Sequence, residues 1–406
     1  MTLQLPDYVN TALNRLETAG FEAYAVGGCV RDSLLGREPE DWDITTSALP
    51  AEIKETFRRT VDTGIEHGTV TVMMKNATGG LSGYEVTTYR VDGEYRDSRH
   101  PDHVEFTASL EEDLKRRDFT INAMAWRPST GLTDLFGGLE DLERRTIRTV
   151  GLPDERFNED ALRILRAVRF AAQIGFTIEE ETLSAICRHA ERLSHISRER
   201  IYAELTKLLC GKYPERAALL KRTGMLPFMA EGLEQADGNA LTAFSGTELP
   251  HDKRYLRFAA WLRDLPADDI IRIFRELKSD RETMDRAALL APLIRQRLTA
   301  DRYEIKKVMG LMTPELFREL LLLKKSFFLA GEGVPGEDLG ALSALTDSIL
   351  ENREPVYLKD LAVGGTELIR AGVKPGPGVG ACLQELLDRV RRDPSENVKE
   401  RLLSGL

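Results

Sequence analysis

Hydrophobic and polar positions follow two different patterns along this chain, and the change falls near residue 150. Before it, short apolar or alternating runs predict strands at 21–26, 42–45, 67–74 and 84–90. Helices are predicted at 29–35 and 51–58, and 110–126 is predicted to be largely helical. Residues 1–150 are therefore expected to form a mixed α/β domain.

From Glu159 onward, apolar residues recur with a helical period. The first such segment carries its apolar side chains on one face, at 161, 164, 165, 168, 171 and 172. Further helices are predicted at 179–192, 198–210, 214–223, 254–263, 267–277, 282–297, 303–310, 314–330 and 338–351. A Gly/Pro cluster at 374–380 precedes a last helix at 381–392. The fold class is thus α+β, with a mixed-sheet head (1–150) followed by an all-helical neck (151–225), body (226–335) and tail (336–406).

The charge balance changes this picture in one region. The chain has 56 Lys and Arg against 66 Asp and Glu, a formal net charge of −10, which alone argues weakly against a nucleic-acid partner. Residues 155–222, however, hold 13 Lys and Arg against 10 Asp and Glu. The predicted neck is therefore basic within an acidic protein, and a local basic surface is sufficient for binding phosphates.

The cysteines and the lengths of the apolar runs indicate the cellular compartment in which the protein is expected. The four cysteines are far apart and form no CxxC pair, which disfavours a zinc site and is typical of the reducing cytoplasm. The N-terminus lacks a basic segment followed by a long apolar run, and no apolar stretch approaches the roughly 18 residues that a membrane span needs. We expect a soluble cytoplasmic protein with no membrane partner. The sequence leaves its oligomeric state open, a homodimer included.

A glycine turn followed by two aspartates is the first candidate for chemistry. A predicted strand runs into Gly27 and Gly28, and a helix carrying Arg31 follows at once, an arrangement that lets backbone N–H groups approach a phosphate. Asp41 and Asp43 come next and are separated by one residue, so on a strand both point to the same side. Two carboxylates on one face, completed by substrate phosphates, suit Mg²⁺. Alone, the pair is more typical of a solvated turn in which Asp caps a helix.

A row of charged residues at helical spacing is the second candidate. Asp160, Arg163, Arg166 and Arg169 recur every three residues, which predicts a stripe beside the apolar face of one helix. Glu159 and Arg163 are also spaced for a surface ion pair worth about 0.3–0.5 kcal/mol. Taken alone, the row is more typical of a salt-bridged surface.

Together these motifs resemble the nucleotidyltransferase superfamily that includes DNA polymerase beta, and more closely the class II tRNA nucleotidyltransferase and bacterial poly(A) polymerase family. The resemblance covers nearly the whole chain. Five segments carry it in order: VGGCVRDSLLG at 26–36, DWDI at 41–44, RRDFTINAMA at 116–125, DLFGGLEDL at 134–142 and NEDALRILRAVRF at 158–170. It implies a polymerase-beta-like head and addition of CCA to tRNA from CTP and ATP with Mg²⁺. The helical body and tail would hold the acceptor and TΨC arms.

The resemblance also implies residue roles. Asp41 and Asp43 match the metal-binding carboxylates, and the nucleotide-binding positions match Gly28, Arg31, Arg117, Asp160, Arg163, Arg166 and Arg169. Asp118 and Asn122 would lie near the sugar. Asp160 and Arg163 match the residues that read the incoming base, because a carboxylate and a guanidinium complement the amino group and ring nitrogen of cytosine and adenine. Uracil and guanine present the opposite pattern and would be rejected.

Several alternatives and secondary features remain at this stage. The rivals are a poly(A) polymerase, an enzyme that adds only the final A, and a non-catalytic RNA-binding protein. Glu85 is a candidate third carboxylate, and the polar segment 92–101 resembles a loop of enzymes that add the terminal A. Arg263 stands where some relatives carry a metal-binding histidine, which disfavours a second hydrolytic site, and His251 is expected to lie in a loop. The glycine-rich turn after Lys374 is a candidate phosphate contact.

Overall fold

The structure, a computed structural model, describes residues 3–75, 80–92, 104–236, 238–244, 250 and 252–404. By contacts between residues the chain divides into two compact units, one comprising 1–234 with 276–279 and the other 235–275 with 280–406. All of the predicted site residues lie in the first unit. The finer boundaries of head, neck, body and tail stay a prediction.

A mixed sheet forms the centre of the first part of this unit. The strands in the described residues are β1 Ala23–Val26, β2 Ile44–Thr46, β3 Thr60–Gly64, β4 Thr69–Lys75, β5 Leu81–Thr88, β6 Arg90–Asp92, β7 Val104–Phe106, β8 Met124–Arg127, β9 Gly131–Asp134, β10 Thr146–Ile147 and β11 Thr177–Ile178. Seven of these form one sheet in the order β3-β4-β5-β2-β1-β8-β9, with β2 and β5 parallel and the other neighbours antiparallel. β6 pairs with β7, and β10 with β11.

Helices alternate with the strands in the first part of the chain, and after β11 all of the described elements are helices. In the first unit they are α1 Asp7–Thr18, α2 Gly28–Leu34, α3 Pro50–Thr56, α4 Leu110–Lys115, α5 Gly138–Glu143, α6 Pro153–Glu159, α7 Leu162–Ile174, α8 Glu180–His189, α9 Arg198–Leu209, α10 Ala218–Arg222 and α11 Leu226–Met229. Beyond them lie α12 Arg254–Trp261, α13 Ala267–Glu276, α14 Arg281–Arg295, α15 Arg302–Met309, α16 Pro314–Leu329, α17 Leu339–Glu351, α18 Gly365–Arg370, α19 Pro377–Arg392 and α20 Lys399–Leu403. The α+β class, with a mixed-sheet domain followed by helices, is confirmed.

One predicted element is wrong. Residues 110–126 were expected to be largely helical, but the helix ends at Lys115 and β8 begins at Met124, next to β1 in the sheet. Met124 and Ala125 are fully buried and Trp126 is 4% exposed, so this strand is covered on both faces. A continuous apolar run of this kind has no alternation, and periodicity cannot distinguish it from a buried helix.

The glycine at the end of α7 has a strict structural reason. Gly175 ends the helix with φ 78°, and a Cβ placed there would lie 2.6 Å from the Tyr213 ring. A residue other than glycine would therefore be strained in its backbone and would collide with that ring. This ending fixes the length of the helix that carries the three predicted site arginines.

Candidate functional site

Asp41 and Asp43 lie in an extended segment immediately before β2. Both are exposed, whereas Trp42 between them is only 6% exposed, so the alternation places the two carboxylates on the solvent side. The main-chain carbonyl of Asp43 accepts a hydrogen bond from the Val26 N–H at 3.0 Å, which ties the segment to β1. The strand predicted at 42–45 begins only at Ile44, so the two aspartates precede it, and their shared role stays a prediction.

Negative charge is concentrated around Asp43. Its pKa is raised, first because surrounding protein atoms remove water and then because Glu85 and Asp41 add negative charge, while Arg117 opposes the shift. Glu85 lies on β5, whose next residue, Val86, pairs with Ile44 in β2. A divalent cation would relieve this repulsion, so the residues present fit a magnesium site. Among the described residues, no group of three or more His, Cys, Asp or Glu side chains is placed to hold a metal ion.

The glycine turn is shaped around Arg117. Gly27 has φ 81°, and a Cβ there would lie 3.0 Å from an Nη atom of Arg117. The adjacent Gly28 begins α2 and has no such constraint, because its Cβ would meet only the Arg31 side chain at an ordinary 3.7 Å. The turn thus brings Arg117 close to the backbone at the start of α2. Sequence reasoning had emphasised Gly28, but Gly27 is the position that requires glycine.

Sequence reasoning missed Asp113, a fully buried carboxylate on α4. Its Oδ1 accepts hydrogen bonds from Nε and Nη2 of Arg116 at 3.1 and 2.8 Å. Its Oδ2 accepts from Arg117 at 3.2 Å and from the Thr45 hydroxyl at 3.3 Å. Burial alone would raise the pKa of Asp113, but the two arginines outweigh that effect and hold the pKa below its usual range. Asp113 therefore links Arg117 to the strand that follows Asp43.

The expected stripe from Asp160 to Arg169 is corrected in one respect, since Asp160 is not on the helix. α6 ends at Glu159, Asp160 is extended with φ −136° and ψ 105°, and α7 begins at Leu162. The Asp160 Oδ1 accepts the Leu162 N–H at 3.0 Å, and its Oδ2 accepts from Arg200 on α9 at 3.0 Å. An aspartate placed just before an apolar helix is a helix-start signal that the three-residue spacing had concealed.

Arg163 is 8% exposed and is held in place by groups from two segments. Its guanidinium donates to the Glu159 carboxylate at 2.6 Å and to the main-chain carbonyl of Arg116 at 2.7 Å. The predicted i,i+4 pair with Glu159 is thus present but lies in a half-buried site rather than on an open surface. Because Arg116 also contacts Asp113, a continuous set of contacts joins Arg163 to Arg117.

The remaining arginines belong to a second network. Arg166 donates through Nε and Nη2 to Oδ2 of Asp118 at 2.8 and 2.6 Å, and Arg169 lies 2.6 Å from the Glu204 carboxylate. Asn122 donates to Asp118 at 3.1 Å and accepts from Arg31 at 2.7 Å. Burial would raise the pKa of Asp118, yet the charge of Arg166 and the Asn122 bond keep it well below its usual range.

The remaining features noted in the sequence are Arg263, the polar segment 92–101, His251 and the turn after Lys374. Arg263 is 4% exposed and pairs with Glu332, while its guanidinium lies 4.1 Å from the Phe327 ring centroid. It is therefore engaged in the interior of the second unit. Residues 93–103, which contain most of the predicted loop, and His251 lie outside the described residues. The turn after Lys374 leads into α19, which begins at Pro377, four residues earlier than predicted.

The fold and the arrangement of this site define a nucleotidyltransferase head. Residues 23–148 match the family model described as the poly A polymerase head domain, and residues 175–237 match the one described as the probable RNA and SrmB-binding site of polymerase A. In the part of the chain that the structure describes, we find no helix with the length and apolarity to cross a membrane.

Relatives that match over nearly the whole chain define the protein family more narrowly. The chain is 39% identical over 400 residues to the CCA-adding enzyme of Levilactobacillus brevis, with 97% of this chain and 96% of that protein covered. It is 42% identical to that of Lactobacillus delbrueckii subsp. bulgaricus, with 95% and 93% covered. The crystal structure of the Bacillus stearothermophilus CCA-adding enzyme in complex with CTP matches at 32% identity and a TM-score of 0.79, covering 99% of this chain and 97% of that one. The chain belongs to the tRNA nucleotidyltransferase family and is an enzyme.

Proposed function

We propose that this enzyme adds C, C and A in turn to the 3′ end of tRNA, using CTP and ATP. The tRNA 3′-hydroxyl attacks the nucleotide α-phosphorus, a bond forms between them, the bond to the β-phosphate breaks, and pyrophosphate leaves. The observation that carries the proposal is the agreement with CCA-adding relatives over nearly the full length, together with Asp41 and Asp43 exposed immediately before β2. The rivals restricted to poly(A) or to the final A lack a comparable observation.

The carboxylates of Asp41 and Asp43, with Glu85 contributing negative charge, would hold Mg²⁺. When bound there, Mg²⁺ stabilises charge on the attacking and leaving oxygens. Gly28, Arg31 and Arg117 lie at the glycine turn, where they would bind and orient the triphosphate. Asp118 and Asn122 connect this region to α7 and would lie near the sugar.

Base choice falls to Asp160 and Arg163 in this proposal. A carboxylate accepts from the amino group of cytosine or adenine while a guanidinium donates to the adjacent ring nitrogen. Arg200 donates a hydrogen bond to the Asp160 carboxylate, and Glu159 accepts one from the Arg163 guanidinium. These contacts limit the freedom of the two side chains to adapt to a wrong base. Uracil and guanine would leave both groups unpaired, and sites of this kind discriminate by about 10⁴–10⁵. Arg166 and Arg169 would fix the pair or the triphosphate.

The macromolecular substrate and the compartment complete the proposal. The neck is basic, and together with the helical body and tail it would hold the acceptor and TΨC arms largely through shape and backbone contacts. The four cysteines at 29, 187, 210 and 382 are all free, as is usual for proteins of the reducing cytoplasm. We place the reaction there, and a homodimer stays a prediction.

The test uses three transcripts of one tRNA, ending before CCA, after the first C and after CC. With CTP and ATP together, each transcript should be extended to the same final length and no further. Incorporation of ATP alone on the shortest transcript, or extension only of the transcript that ends in CC, would overturn the proposal in favour of a poly(A) polymerase or an A-adding enzyme.

A further inference from the structure

Phe170 is surrounded by three arginines of the site. It lies on α7 with 4% of its surface exposed. The guanidinium carbons of Arg169, Arg31 and Arg166 lie 3.8, 5.0 and 5.4 Å from its ring centroid. All three distances fall within the roughly 6 Å over which a cation is attracted to an aromatic face. Phe119 packs edge-on against the same ring, with centroids 5.7 Å apart, and so limits its rotation.

The three arginines come from two parts of the chain. Arg31 lies on α2 beside the glycine turn, whereas Arg166 and Arg169 lie on α7. Like charges at this spacing repel, and burial together with Arg166 and Arg31 lowers the pKa of Arg169 to about 10, against the opposing effect of Glu204. Glu204 and Asp118 also attract Arg169, and the electron-rich Phe170 ring lies within range of all three cations.

An aromatic face holds an arginine differently from a carboxylate. A carboxylate occupies the N–H groups in the plane of the guanidinium, whereas a ring contacts its flat side and leaves those N–H groups available. Arg166 already gives two N–H groups to Asp118, and Arg31 gives three to Asp32 and Asn122. Further carboxylates would consume the donors that a phosphate needs, but the Phe170 ring does not.

We infer that Phe170 is a positioning residue for the triphosphate, because its ring gathers Arg31, Arg166 and Arg169 without occupying the N–H groups that would bind an anion. The inference rests on the proposed function, in which these arginines bind the nucleotide. It is separate from base choice, since Asp160 and Arg163 are held by Arg200, Glu159 and the Arg116 carbonyl rather than by the ring.

The test measures binding of inorganic tripolyphosphate, which has no base or sugar, by calorimetry. Phe170→Leu keeps an apolar side chain without an aromatic face and should weaken binding about tenfold, whereas Phe170→Tyr should bind like the unchanged protein. Phe176→Leu is the matched control, because Phe176 is 3% exposed and follows the same helix. It should leave tripolyphosphate affinity unchanged.

Steady-state kinetics provide the second measurement. In Phe170→Leu the KM values for CTP and ATP should rise together by about tenfold, with the preference for CTP over UTP retained. If Phe170→Leu does not fold, as judged by thermal unfolding, Phe170→Met takes its place with the same expectation. Tripolyphosphate affinity unchanged in a folded variant lacking the ring would overturn the inference and leave the proposed function intact. Failure of the unchanged protein to add CTP or ATP would instead overturn the proposed function.

Discussion

Two cations with buried N–H donors, Lys324 in the second unit and Arg117 in the first, differ in how fully those donors are paired. In the second unit, Lys324 is 2% exposed, and its ammonium donates to the carbonyls of Ile294 and Gln296 and to Glu337, at 3.1, 2.7 and 2.9 Å. An ammonium has three N–H donors, so none is left over. In the first unit, the buried Nε of Arg117 has no hydrogen-bond partner within the described residues.

Lys324 and Arg117 therefore differ in what their charges do, since the paired ammonium stabilises the fold whereas the Arg117 donor, unpaired within the described residues, is available to a ligand. Leaving a buried donor unpaired costs roughly 1–3 kcal/mol, a cost that pairing with a bound substrate group would remove. Arg117 also lies against the glycine turn and opposes the rise in the pKa of Asp43, so this donor is in the region where a triphosphate would bind. Lys324 holds the end of α14 and needs no further partner.

The largest expected effect comes from Asp43→Asn in the first unit. Removing one charge of the carboxylate pair should reduce the rate of nucleotide addition about a thousandfold, since a bound metal contributes several kcal/mol to the transition state. The measurement is the initial rate on a tRNA transcript, with the melting temperature as a check on folding. Asp62→Asn, at an exposed residue paired with Lys54, is the control and should retain activity. Full activity in Asp43→Asn would remove the basis for the metal site.

The second prediction concerns Lys324, the buried cation of the second unit whose three N–H donors are all paired. Lys324→Met leaves Glu337 buried and uncompensated, so the free energy of unfolding should fall by about 3–5 kcal/mol. Because Lys324 lies outside the first unit, the KM values for CTP and ATP should not change under conditions where the variant is folded. Urea unfolding and steady-state kinetics give the two values. A raised KM with unchanged stability would contradict the division between the units.

Asp113→Asn should have a smaller effect on activity. An amide cannot hold the two adjacent arginines as a carboxylate does, so Arg117 should lose its fixed position and kcat/KM should fall by about tenfold to a hundredfold. Glu112→Gln is the matched control, because Glu112 lies on the same helix with an exposed side chain paired to Lys115. Equal kinetics in the two variants would mean that Asp113 serves only the stability of α4.

The sequence was most informative where the pattern is local. Helices such as α9, α14 and α16 begin and end within two residues of their predicted positions, because their periodicity is set by neighbours along the chain. The paired carboxylates before β2 were likewise predictable from a two-residue spacing. Their roles in binding metal stay a prediction.

The sequence did not reveal side-chain contacts between residues that are far apart along the chain. Asp113 meets Thr45 across 68 residues, and Arg31 meets Asn122 across 91. No periodicity encodes these contacts, so neither Asp113 nor Phe170 stood out before the fold was known. The break at Asp160 was missed for a different reason, since its three-residue spacing from Arg163 matches a helix although its backbone is extended.

Base choice is the central claim, and Asp160→Ala tests it most directly. The measurement is the ratio of kcat/KM for CTP to that for UTP on a tRNA transcript lacking CCA. Asp154→Ala, at a half-exposed aspartate of α6 that pairs with Arg188, is the control and should keep the original ratio. We predict that the ratio falls at least about a hundredfold in Asp160→Ala. An unchanged ratio in a folded, active variant would contradict the account.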